Sequence, residues 1–131
     1  MNKKTLADYT KEAGENAVEK GFSGESVPTM LIGIMSEIVE ALEADSNIDN
    51  RSISSKDTLQ ELIPLFSSKS EDQKQRAISV FNNNEKDCFE DEIADTFIRL
   101  FTLCDELDID IEQHIQVKMA YNKTREYKHG K

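Results

Sequence analysis

The sequence predicts an all-α protein: a bundle of four main helices with a helical insertion between the second and third, completed by oligomerisation. Three observations lead there. Apolar residues recur at helical spacing in several separate segments. Strand-like alternation is absent, and no internal repeat of fixed period appears. Gly21-Phe22-Ser23-Gly24 and Asn82-Asn83-Asn84 fall between periodic segments, where they break the helical pattern. At 131 residues the chain is expected to form one domain, 1–131, with 47–84 as the insertion.

The first helix is read over about 5–20, from Leu6, Tyr9, Thr10, Ala13 and Ala17. Gly21 is its stop, and Gly21-Phe22-Ser23-Gly24 is turn-like. The second helix starts near Ser26 to Pro28, because proline is tolerated in a first turn. Leu31, Ile34, Met35, Ile38 and Leu42 form its stripe, and it ends around Asp45-Ser46-Asn47. The insertion is rich in Ser, Asn, Lys and Asp. Within it, Leu59, Leu62 and Ile63 suggest a short helix stopped or kinked at Pro64. Ser70 with Gln73 resembles a capping box for a further helix to about Phe81, where Asn82-Asn83-Asn84 breaks the pattern.

A long helix follows over about 85–107, with Phe89, Ile93, Phe97, Leu100, Phe101 and Cys104 on one side. Asp108-Ile109-Asp110 is a tight connection. Asp110 and Gln113 cap the last helix, about 111–127, and the tail from Tyr127 to Lys131 is basic.

Composition narrows the function. A net charge of −10 argues against a DNA or RNA polymer as partner, since such binders carry a basic face. It leaves a nucleotide substrate open, because a local cation overrides the global sign. No apolar run reaches the roughly 18 residues of a membrane span, so no membrane partner is expected. Met1-Asn2-Lys3-Lys4 has no signal-like apolar stretch, and Cys88 and Cys104 have no metal-like spacing. The expected setting is the cytoplasm, with both thiols reduced.

Two acidic pairs carry the chemistry. Glu37 and Glu40 stand three apart in an apolar segment, as do Glu92 and Asp95. Residues at i and i+3 share a helix face. If the two faces oppose, four carboxylates converge, and all-oxygen ligation suits a hard ion such as Mg²⁺. Spacing alone proves nothing in so acidic a chain, where Glu12 with Glu15 and Asp87 with Glu90 have the same spacing. The surroundings separate the two pairs from the rest: Glu37 falls near Gly33, Met30 and Ala41, and Glu92 and Asp95 border a broad apolar face. On the last helix Lys118 and Asn122 share a face, with Arg125 one turn further on. A compact positive charge and an amide suit a phosphate chain held by metal.

The run from Met35 to Ala44 resembles the second-helix motif of MazG-like nucleoside triphosphate pyrophosphohydrolases. Phe89 to Asp95 resembles their Glu-x-x-Asp motif, and Asp108 to Glu112 with Lys118 to Arg125 resembles their final helix. The resemblance covers about 26–45 and 85–131, and the first helix fits more loosely. It implies that Glu37, Glu40, Glu92 and Asp95 bind Mg²⁺, with Mn²⁺ as a substitute. It implies hydrolysis of an NTP or dNTP between the α and β phosphates, giving a monophosphate and pyrophosphate. Glu40 or Glu92 would be the base, and Lys118, Asn122 and Arg125 would hold phosphate. It also implies a homodimer or homotetramer. The stretch between Glu40 and Glu92 is longer than in compact members, and the related dimeric dUTPases also carry longer connections.

Two other readings stand beside it. One is a non-catalytic helical module on the same fold that binds a nucleotide or a partner. The other, a ferritin-like di-iron site, needs paired Glu-x-x-His motifs. His114 follows Ile111 at that spacing and His129 follows Glu126, so no pair exists.

Overall fold

A computed structural model describes residues 3–46 and 50–126. The basic tail, the final residue of the last expected helix and His129 lie outside them. The described chain is all-α, with six helices: α1 Leu6–Glu19, α2 Val27–Asp45, α3 Lys56–Phe66, α4 Glu71–Asn84, α5 Phe89–Glu106 and α6 Ile111–Lys123. Four match the main helices of the sequence, and α3 and α4 form the helical insertion. The chain divides into two compact units, one of residues 1–31 and 97–131, the other of residues 32–96.

In the first unit, Thr5 starts α1 through a capping box. Asp8 N–H donates to Thr5 Oγ1 at 3.1 Å, and Thr5 N–H donates to Asp8 Oδ2 at 2.8 Å. Gly21, at φ 81°, ends α1 as expected: Phe22 N–H bonds Ala17 O and Gly21 N–H bonds Val18 O. The end of α5 repeats this motif with Asp108 at φ 53° in the glycine position. Ile109 N–H bonds Cys104 O at 2.8 Å and Asp108 N–H bonds Asp105 O at 3.2 Å. Aspartate tolerates the left-handed region better than most side chains. Asp110 then caps α6 by accepting from Gln113 N–H at 3.1 Å. Tyr9 stacks on Phe101 with ring centres 5.9 Å apart, and Leu6 N–H donates to Glu112 Oε1 at 3.2 Å.

In the second unit, α3 packs on α4 around buried Leu62 and Ala77, with Phe66 edge-on to Phe81. Three boundaries differ from expectation. Helix α3 runs through Pro64 to Phe66. A proline this close to the C-terminus removes one ladder bond, and Phe66 gains its ring contact in return. Helix α4 runs through Asn82–Asn84. Asparagine costs only a few tenths of a kcal/mol in a helix, and tertiary contact overrides it. That contact is Ile53 N–H on Asn84 O at 3.4 Å. Helix α5 begins at Phe89 rather than near 85, because Asp87 takes φ 63° and interrupts the chain.

The buried side of α2 is Ile34, Glu37, Ala41 and Ala44. Leu31, Met35, Ile38 and Leu42 of the expected apolar stripe are exposed instead. The face that carries Glu37 is thus the buried one. Both cysteines are free and buried, and no described helix is long and apolar enough to cross a membrane.

Candidate metal centre

The second unit brings together three of the four expected carboxylates. Glu37 and Glu40 stand one turn apart on α2, and Glu92 stands in the first turn of α5. One oxygen from each lies within 4.8 Å of the others. Glu37 and Glu92 are buried, at 8% and 5% exposure, while Glu40 is exposed. Small Ala41 and Ala44 line the same buried face of α2.

This arrangement is costly without a counter-charge. Burial of a carboxylate disfavours its ionised form, and like charges at this range add to the cost. The pKa of Glu92 is pushed up to about 8, first by burial, then by Glu40 and Glu37. For the ionised group, buried Oε2 of Glu92 has no hydrogen-bond partner. A proton on Glu92 relieves this by donating to Glu40 or Glu37. A divalent cation relieves it for all three groups at once. Hard cations take oxygen ligands at about 2.0–2.6 Å, so oxygens bound to one ion fall within the observed spacing. The donor set is carboxylate only, which fits a hard ion and not a soft one.

A second acidic group adjoins the first. Asp87, Asp91 and Glu92 also offer oxygens within 4.8 Å of one another, so Glu92 belongs to both groups. Asp87 is exposed and Asp91 half-buried. Asp87 N–H donates to Asp91 Oδ2 at 2.9 Å. Sequence reading missed this group. Its one signal is the i,i+4 spacing of Asp87 and Asp91, and the turn at Asp87 that shapes it has no glycine to announce it.

Asp95 lies one turn beyond Glu92 on α5, half-buried, and belongs to neither group. Lys118, Asn122 and Arg125 belong to the first unit. Lys118 and Asn122 are exposed on α6, and half-buried Arg125 follows its last turn. Lys118 Nζ stands 5.0 Å from the Tyr121 ring centre and Arg125 Cζ stands 5.8 Å from it. Tyr121 therefore gathers both cations, each within reach of a cation–π attraction.

The two acidic groups are able to chelate a divalent cation. Comparison with protein-family models, curated proteins and solved structures gave no match.

Proposed function

We propose that this protein is a Mg²⁺-dependent nucleoside triphosphate pyrophosphohydrolase of the MazG-like kind, cleaving an NTP or dNTP between the α and β phosphates. One observation carries the reading: Glu37, Glu40 and Glu92 converge from two helices, with a buried oxygen of Glu92 unpartnered. Mg²⁺, or Mn²⁺ in its place, would be held by these three carboxylates with Asp95 beside them. When bound, such an ion neutralises phosphate charge and polarises phosphorus.

The chain's own residues supply the rest. A general base works best with a pKa near the operating pH. Glu92 stands near that value and Glu40 faces water, so these two are the candidate bases. Lys118, Asn122 and Arg125 are assigned to phosphate oxygens, a role that suits the two cations gathered at the Tyr121 ring and an amide on the same helix. The proposed setting is the cytoplasm, in keeping with two free cysteines.

The exposed face of α2 supports a homodimer or homotetramer. Ile32, Met35, Val39 and Leu42 are 51–68% exposed and follow coiled-coil spacing. The same face favours a second reading, a non-catalytic helical module that binds a nucleotide or a partner. Pyrophosphate release from a panel of NTPs and dNTPs separates the two. The enzyme reading expects metal-dependent turnover that Glu37→Gln and Glu92→Gln abolish while helical content is kept. Folded protein that turns over none of the panel with Mg²⁺ or Mn²⁺ is the module.

A further inference from the structure

Residues 50–53 lie against the turn between α4 and α5 and fasten it at successive points. Ile53 N–H donates to Asn84 O at 3.4 Å, and Phe89 N–H donates to Asn50 O at 3.0 Å. Asn50 Nδ2 donates to Asp87 O at 3.1 Å, and Ser52 Oγ donates to the buried carboxylate of Glu85. Glu90 takes the most. Arg51 reaches its Oε2 with Nε at 2.9 Å and with a terminal nitrogen at 2.8 Å. Ser52 N–H reaches its Oε1 at 2.9 Å. The Arg51 guanidinium also covers the Phe89 ring at 5.1 Å.

Both oxygens of Glu90 are therefore engaged, and two of the bonds come from one planar guanidinium. Two guanidinium nitrogens on Oε2 and a backbone N–H on Oε1 hold the carboxylate from both sides, with charge-assisted bonds fixing its direction. An ion pair this exposed adds little to global stability, so its effect is sought in orientation. Glu90 sits in the first turn of α5, and Glu92 follows two residues on. A helical turn is rigid at this scale, so pinning Glu90 fixes the direction in which Glu92 leaves the backbone.

We propose that Arg51 and Ser52, acting through Glu90, are positioning residues that aim the Glu92 carboxylate at Glu37 and Glu40. The start of the insertion thereby sets the geometry of the acidic group. This rests on the reading of that group as a cation site. Outer partners of metal ligands typically change affinity about 10–100-fold when removed.

The full chain titrated with Mn²⁺ alone, followed by calorimetry and electron paramagnetic resonance, tests it. Arg51→Ala and Glu90→Gln are each expected to weaken Mn²⁺ binding tenfold or more and to alter the Mn²⁺ spectrum. Helical content and melting temperature stay near wild type. Arg51→Lys, which keeps the charge, recovers part of the affinity. The double variant binds no worse than either single one, because both cut the same link. Affinity within twofold of wild type in both single variants overturns the inference. So does a loss that tracks lost helical content and that Arg51→Lys leaves unrepaired. A wild type that binds no Mn²⁺ overturns the metal reading itself, and this inference with it.

Discussion

Glu37 of α2 and Glu92 of α5 are both buried, and their carboxylates approach within 4.8 Å. Burial first, then Glu40 and Glu37, leave Glu92 holding a proton up to a pH of about 8. Proton and cation thus compete for one place.

That competition gives a pH signature. A carboxyl whose folded pKa stands above its unfolded value binds its proton more tightly in the folded protein. Its contribution to stability is complete below about 4.5 and is lost as pH rises through about 8. Glu90 runs the other way. Arg51 first, then Ser52 N–H, hold it down at about 2, so its share, small for a pair this exposed, is present above about 4.5 and is lost as pH falls towards 2. Thermal melts in chelator should therefore decline from pH 5 to pH 8, and Mg²⁺ should restore most of the loss at pH 8. A melting temperature unchanged across that range in chelator would remove the basis for this expectation.

Gly14 marks a close approach in the first unit. A Cβ built there would stand 1.8 Å from Asp105 Oδ2 and 2.9 Å from Asp105 Cβ. Gly14→Ala should destabilise by about 1–3 kcal/mol, as overpacking does, despite alanine's better helix propensity. Gly14→Ala combined with Asp105→Ala should recover part of the loss, because the carboxylate is gone. Chemical denaturation of both variants measures this, and an equal loss in both would contradict the contact.

The insertion has its own small core. Leu62 is 5% exposed between α3 and α4, so Leu62→Ala should cost about 2–4 kcal/mol. Urea denaturation reads the cost. A change below 0.5 kcal/mol, on the order expected of surface sites, would mean that α3 does not depend on this packing.

Much of this was legible in the sequence because it is local. The capping residues Thr5 aside, Ser70 with Gln73 and Asp110 with Gln113 announced helix starts, and Gln73 N–H does bond Ser70 Oγ at 3.4 Å. The i,i+3 spacing placed Glu37 with Glu40 on one helix face, and their surroundings singled them out together with Glu92; the same spacing also put Asp95 in the set, and Asp95 belongs to neither acidic group. What was not legible depends on long-range contact. Arg51 meets Glu90 across 39 positions, and no local pattern signals it. Pro64 and Asn82–Asn84 stay helical because tertiary partners outweigh weak propensities. The left-handed turn at Asp87, which delays α5, has no glycine to reveal it.

The exposed stripe on α2 makes a separate expectation. Met35 and Leu42 are 63% and 68% exposed. Sedimentation should find at least a dimer at micromolar concentration. Met35→Glu with Leu42→Glu should shift it to monomer, since charges placed in an apolar interface must be desolvated. Monomeric wild type would remove the case for self-association.

The central claim is that Glu37, Glu40 and Glu92 together hold one divalent cation. Calorimetric titration of Mg²⁺ at pH 7, in two buffers of different ionisation heat, tests it most directly. Saturable binding is expected, with proton release as the cation displaces the proton on Glu92, and Glu92→Gln should abolish both. Absence of binding in the folded wild type, or equal binding in Glu92→Gln, would contradict it.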